Sequence, residues 1–211
     1  MSAENKTCLF FNTITFLKEI FAKYGRENLA LSFNGGKDCT VLLELIRLAG
    51  CPSSLKIIYF EQENEFKEIT SFIKETETKY GLKMITIREP TFKEGIEELF
   101  KTTPLKGILM GQRMGDPYTN SLTPFIQPSS EDWPLFDRIN PLLNWSYKNV
   151  WDFLLTFNIP YCSLYSQGYT SIGNTKNTSP NPHLYNSSTQ KHDHACKLEE
   201  EKWERSGREE I

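Results

Sequence analysis

The segment Leu29–Ile46 reads LALSFNGGKDCTVLLELI: a mostly apolar strand-like run, a polar turn with two glycines, then apolar residues at helical spacing. Strand, glycine turn and helix N-terminus in that order make a standard phosphate-holding arrangement. The first N–H groups of a helix have no intrahelical acceptor, and the helix dipole favours negative charge there. A turn that uses Gly35 and Gly36 only for their permissive backbone would carry the same letters. The rest of the chain has to discriminate.

Working outward, residues 9–24 place apolar side chains close to a helical stripe. Strand patterns follow at Leu29–Phe33, Leu55–Phe60, Leu82–Ile87 and Gly107–Met110. Helical patterns fall at Asp38–Leu48 (ended by Gly50 and Pro52), Glu65–Tyr80 (closed by Gly81) and Thr91–Lys101. Strands alternating with helices predict an α/β fold with a mostly parallel twisted sheet flanked by helices. Ligands of such sheets sit beyond the carboxyl ends of the strands. The turn at 33–38, Glu61-Gln62-Glu63 and Gly111–Pro117 should therefore share one rim. Residues 117–145, rich in Pro, Asn, Ser and aromatics, read as turns. Ser146–Phe157 reads as a helix with Ser146 as N-cap, a long polar loop follows, and Cys196–Arg208 reads as a charged terminal helix. The organisation expected is one domain over 1–211: a nucleotide-binding core at 1–116 and a loop-rich part with a terminal helix at 117–211.

The 211 residues suffice for a sizeable core, and the formal net charge of −3 argues against nucleic acid as the main partner. No apolar run reaches the roughly 18 residues of a membrane span, and the first residues lack the marks of a signal peptide. Five scattered cysteines without a CxxC pair suit a reducing, cytoplasmic setting. His192-Asp193-His194-Ala195-Cys196 invites a metal reading, but closed zinc sites need four ligands from separated pairs. A mobile polar tail is the expectation there.

The turn is not a Walker A loop, since Leu31 stands where the first glycine belongs and Asp38 where Ser or Thr should follow Lys37. Nor is it GxGxxG. In GQRMGDPY (111–118), Arg113 offers a cation for phosphate and Asp116 a carboxylate for a ligand's polar edge. The same residues with Pro117 would also make a plain turn. DWPLFDRINPLLNW (132–145) joins a tryptophan face to a carboxylate and an arginine, and WERSGR (203–208) reads in isolation as a solvated helix end.

Together these stretches resemble the eukaryotic-type FAD synthetases (FMN adenylyltransferases), which share the fold of PAPS reductases and adenine nucleotide α-hydrolases. The resemblance runs nearly the full length, on SFNGGKDC, PTFKEGI (90–96), GQRMGDPY, DWPLFDRINPLLNW, IPYCSLYSQGYTSIG (159–173), SPNPHL (179–184) and ERSGR (204–208). The chain departs from the family pattern at Ser206, Glu200 and Cys196, leaving both tail arginines in place. The C-terminal cysteine signature of PAPS reductases is absent.

The resemblance implies Mg²⁺-dependent transfer of AMP from ATP to FMN, releasing pyrophosphate and FAD. Phe33, Asn34, Gly35, Gly36, Lys37 and Asp38 would hold the ATP phosphates, with Asn34 and Asp38 nearest the metal. Glu61, Gly111 and Arg113 would complete the ATP side. Asp116, Asp132, Trp133 and Arg138 match flavin-side positions, and Arg205 and Arg208 would reach in from the tail as catalytic groups with Asn34 and Asp38. The partners expected are small molecules, neither nucleic acid nor a membrane, with FAD either retained or passed to apo-flavoproteins. A sulfonucleotide reductase, another ATP pyrophosphatase and a non-catalytic flavin-nucleotide carrier are the alternatives.

Overall fold

A computed structural model describes residues 3–50, 55–103, 105–116 and 125–209, with side chains from residue 8 onward. Its element order is α1 (Ala3–Tyr24), β1 (Leu29–Ser32), α2 (Lys37–Leu48), β2 (Lys56–Phe60), α3 (Lys67–Tyr80), β3 (Met84–Ile87), α4 (Phe92–Thr102), β4 (Gly107–Leu109), β5 (Ile126–Pro128), β6 (Asp137–Ile139) and α5 (Tyr147–Thr156). A small hairpin, β7 (Tyr185–Asn186) with β8 (Lys191–His192), and short 3-10 turns complete it.

The main sheet runs β3-β2-β1-β4-β6-β5, parallel throughout except for β5 against β6. Side chains on β1 and β2 alternate between two apolar layers. Leu29, Leu31, Ile57 and Tyr59 join the larger core with α1, α2, α3 and α5, while Ala30 and Ile58 meet Ile96 and Leu99 of α4. Burial on both faces explains why the central strands read as continuous apolar runs. Thr91 with Glu94 and Ser146 with Asn149 form capping boxes that start α4 and α5. Gly81, in the left-handed region at φ 60°, ends α3.

The chain goes outward from β1 through β2 to β3, then returns across β1 to β4. The strand order therefore reverses between β1 and β4, and the carboxyl ends of these two strands open the crevice in which such sheets hold ligands. Among the described residues no helix is long and apolar enough to cross a membrane.

Three expectations need correction. The stretch 117–145 is not only turns: β6 inserts beside β4, and β5 pairs with it. Cys196–Arg208 is not an α-helix. It forms 3-10 turns at Ala195–Lys197 and Glu201–Trp203, after which the backbone pairs with a neighbouring loop. Ser179 N–H donates to the Gly207 carbonyl at 2.9 Å and Glu209 N–H to that of Asn177 at 3.0 Å. A continuing helix could not offer its backbone sideways in this way. Nor is the histidine segment a polar tail, because Ala195 and Leu198 are buried in the main core and His194 packs edge-on against Trp151. Pro52, Pro117 and residues 118–124 lie outside the described residues.

Candidate active site

The turn after β1 is built around Asn34. Its Oδ1 accepts the Gly36 N–H at 3.0 Å and the Cys39 S–H at 2.9 Å, closing the loop over the first turn of α2. Gly35 holds φ at +72°, which a side chain would resist, and Gly36 is the N-cap. Burial pushes the Cys39 thiol up to about 12, so it packs and donates but does not react. The Tyr165 hydroxyl accepts the Lys37 N–H at 2.8 Å. Among the described residues no backbone carbonyl takes up the Cys39 N–H, while the Asp38 N–H turns to its own carboxylate. Gly111, just past β4, passes so close that a Cβ there would stand 2.9 Å from the Cys39 nitrogen. Only glycine lets the two strand ends meet around the helix start.

Beneath this turn lies a buried charge network. The Lys37 ammonium sits 2.9 Å from Asp38 Oδ2 and 2.5 Å from Glu204 Oε1. The Arg113 guanidinium, 1% exposed, pairs with Asp38 Oδ1 at 2.7 Å, with Glu201 Oε1 at 2.6 Å and with Glu204 Oε2. The Nε–Oδ1 approach to Asp38 is an ion pair without hydrogen-bond alignment. Asp116 accepts the Arg113 backbone N–H at 2.7 Å, and its carboxyl stands 3.7 Å from the guanidinium. Burial raises the Asp116 pKa against the pull of Arg113. Burial would raise that of Asp38 too, but Lys37 and Arg113 together hold it below the ordinary carboxylate value. Two cations thus serve four carboxylates, and the surplus negative charge calls for further cations before a polyanion can approach.

Those cations come from the tail. Arg205 and Arg208 each reach the Ser171 Oγ at 3.5 Å, and among the described residues neither has a carboxylate partner. Arg208 is half-buried with its Nε unpartnered. Desolvation, then the charge of Arg205, lowers its pKa. Gly207 fixes their placement, because a Cβ there would overlap the Ser179 carbonyl oxygen.

Turn, strand ends and tail enclose a cavity of about 430 Å³, within the range of small-ligand sites. Of the residues read from the sequence, Phe33, Asn34, Gly36, Lys37, Asp38, Gly111, Asp116, Arg205 and Arg208 line it. Gly35 shapes the turn without facing the cavity. Arg113 lies behind the floor, its guanidinium committed to carboxylates. Glu61 turns away to pair with Arg88 at 2.5 Å, while its neighbours Gln62 and Glu65 form that wall. Asp132 is exposed and pairs with Lys93 at 3.1 Å, and Trp133 packs against the α4 side of the sheet. Arg138, on β6, reaches the cavity only through Gln112, whose Oε1 accepts from it at 3.2 Å. Tyr165, Ser171, Gly173 and Glu204 are cavity residues that sequence reasoning assigned no role, although all four lie within the quoted motifs.

Metal binding tests these donors. The Asn34 oxygen is already occupied by Gly36 and Cys39 and is a poor ligand. Asp38 and Asp116 are carboxylates on the same cavity, Asp38 with its Oδ1 buried against Arg113 and its Oδ2 2.9 Å from the Lys37 ammonium. One or two carboxylates plus phosphate oxygens and water is the ligand set Mg²⁺ prefers. Among the described residues no group of three or more His, Cys, Asp or Glu could hold a metal unaided.

A crevice of this kind, at the reversal point of a parallel sheet with a glycine turn after β1, is where α/β proteins of this architecture hold their ligands. The chain belongs to the phosphoadenosine phosphosulfate reductase domain family, whose model matches residues 28–180. Its relatives include FAD synthases and, at 25% identity, an adenosine 5'-phosphosulfate reductase of Lysinibacillus sphaericus. It is 38% identical to a probable FAD synthase of Schizosaccharomyces pombe, over 82% of this chain and 69% of the relative. It is also 38% identical to a probable FAD synthase of Caenorhabditis elegans, over 93% of this chain but only 40% of that longer protein. Its fold matches the crystal structure of Candida glabrata FMN adenylyltransferase in complex with FMN and the ATP analogue AMPCPP. That match has a TM-score of 0.86 at 27% identity and covers 99% of this chain and 93% of the other.

Proposed function

We propose that this chain is an FMN adenylyltransferase, converting ATP and FMN to FAD and pyrophosphate. An oxygen of the FMN phosphate attacks the α-phosphorus of ATP, and the bond to the bridging oxygen of the β-phosphate breaks as pyrophosphate leaves. The nucleophile is already an anion, so no general base is needed. The task is to bring two polyanions together, hold them in line and neutralise charge on the leaving group. The observation that carries this reading is that the two tail arginines, without a carboxylate partner among the described residues, line the same cavity as the glycine turn and the start of α2. The names of the relatives and the ligands of the Candida glabrata enzyme support it.

In this reading the turn Phe33–Asp38 holds the ATP phosphates, and Asn34 acts by shaping the turn rather than by binding metal. Arg113 fixes Asp38 and Glu204 from behind. Arg205 and Arg208 meet the phosphates. Asp38 and Asp116 would hold Mg²⁺, which supplies charge neutralisation on the triphosphate when bound. Gln62 and Glu65 take the wall expected of Glu61, and Gln112 with Arg138 behind it lies on the flavin side. We read the chain as one adenylyltransferase domain working in the cytoplasm and passing FAD to apo-flavoproteins.

The test is to incubate the protein with ATP, FMN and Mg²⁺ and follow flavins by chromatography, beside an Arg205→Ala/Arg208→Ala variant. FAD formed by the wild type and lost in the folded variant is the expected result. A folded wild type that forms none refutes the reading.

A further inference from the structure

The geometry points to Tyr165 as a further substrate-binding residue, its phenolic O–H donating to a terminal phosphate oxygen of ATP and, after transfer, to pyrophosphate. The inference deepens the proposed function and rests on it for the identity of the ligand.

Tyr165 sits in the 3-10 turn Ser163–Gln167, 128 residues from the phosphate turn in sequence, and is 2% exposed while lining the cavity. Its ring is wedged edge-on between Trp151 (centroids 5.3 Å, planes at 80°) and Tyr161 (6.3 Å, 72°). The hydroxyl therefore has one position. A phenolic oxygen has two in-plane directions, and one of them is taken: it accepts the Lys37 N–H at 2.8 Å. The proton must then point along the other, and among the described residues no acceptor stands there. A buried donor left without an acceptor is costly, and an anion in the cavity would supply one.

The chemistry of the group suits the task. Burial raises the phenol pKa well above its ordinary value, so the hydroxyl keeps its proton. It also relays the helix start. The Lys37 N–H, at the positive end of α2, polarises the oxygen it donates to and strengthens the next bond in the chain. The first amide of α2 thus acts on phosphate through Tyr165.

The test uses the full chain and inorganic pyrophosphate with Mg²⁺ as probe, with AMP for comparison. Tyr165→Phe keeps the ring and should weaken pyrophosphate and ATP binding about tenfold to a hundredfold, the range for a hydrogen bond to a charged group. Binding of AMP, which lacks the terminal phosphates, should be unchanged. Phe also removes the acceptor for Lys37, so a second variant separates the roles. With 3-fluorotyrosine at position 165 the hydroxyl is a stronger donor and a weaker acceptor. Pyrophosphate affinity above that of the wild type supports donation even if Tyr165→Phe does not fold, and unchanged affinity counts against it. Weaker binding by the fluorinated protein, or equal loss of AMP affinity in Tyr165→Phe, means the hydroxyl only caps the helix and overturns the proposal. If the wild type binds pyrophosphate with this dependence yet forms no FAD, the proposed function fails and the donor assignment stands.

Discussion

Replacing Arg208 by Met separates a residue kept for binding from one kept for folding. In the free protein Arg208 is half-buried, its Nε lacks a partner, and its only described side-chain hydrogen bond is a 3.5 Å contact to Ser171. Arg205 reaches the same hydroxyl at the same distance. Two guanidinium nitrogens within about 7 Å repel by about 0.6 kcal/mol in water-like surroundings and about 2.4 at an effective dielectric of 20. Arg205 is exposed, so screening favours the lower figure. Met keeps an apolar stem beside Gly173, which the guanidinium covers so closely that a Cβ there would overlap it. Arg208→Met should therefore leave the unfolding free energy unchanged or raise it by at most about 1 kcal/mol. The same change removes charge-assisted hydrogen bonds to phosphate, and kcat/KM for FAD formation should fall about thirtyfold, near 2 kcal/mol. Urea unfolding of the free protein and steady-state kinetics read the two quantities on one preparation. Pyrophosphate should also raise the Tm of the wild type more than that of the variant. A variant that loses about 2 kcal/mol or more of stability while keeping its kcat/KM would make Arg208 a structural residue and refute the reasoning.

Glu204→Gln leaves Lys37 and Arg113 buried with less charge to face, and should cost about 3–5 kcal/mol in urea unfolding. A loss below about 1 kcal/mol would mean the network is hydrated. The depressed pKa of Asp38 implies stability that is present above its unfolded value near 4 and lost as pH falls through the lower folded value. Asp38→Asn should therefore flatten the acid limb below about pH 4, and an unchanged limb would contradict the ion pairing. Asp116, raised by burial, works in the opposite sense. Its contribution is present below the unfolded value and lost as pH rises through the folded one, so Asp116→Asn should not destabilise the protein at pH 7. Gly207→Ala should displace the tail from Ser179 and lower kcat about tenfold or more with the far-UV circular dichroism unchanged; full activity would show that the tail tolerates the shift.

The parallel core was legible because burial on both faces writes its strands as unbroken apolar runs, and because glycines and capping residues mark where they stop. β5 and β6 were not. Each has three residues, too few for alternation to show, and Pro128, Pro134 and Pro141 signal turns around them. The tail misled for a different reason. Its charges suggest a solvated helix, yet Glu201 and Glu204 are spent on Arg113, and the backbone at Gly207 bonds to a loop nearly thirty residues upstream. Such pairings depend on tertiary geometry that no local pattern encodes. The glycine turn between β1 and α2 was placed from its own letters, but the contacts within it were not. Asn34 looks like a metal ligand until its oxygen is seen holding Gly36 and Cys39, and Arg113 looks like a phosphate cation until four carboxylates are seen around it. Tyr165 and Glu204 lay in quoted motifs with nothing in the spacing to say that one meets the backbone N–H of Lys37 and the other its ammonium.

The stoichiometry of the products decides whether AMP is transferred to FMN in this cavity. With ATP labelled in its β- and γ-phosphates, and FMN and Mg²⁺ in excess, one labelled pyrophosphate should appear for every FAD formed. No labelled orthophosphate and no ADP should appear. ADP or orthophosphate in place of pyrophosphate, or pyrophosphate released without FAD, would place the cut or the acceptor elsewhere and contradict adenylyl transfer to FMN in this cavity.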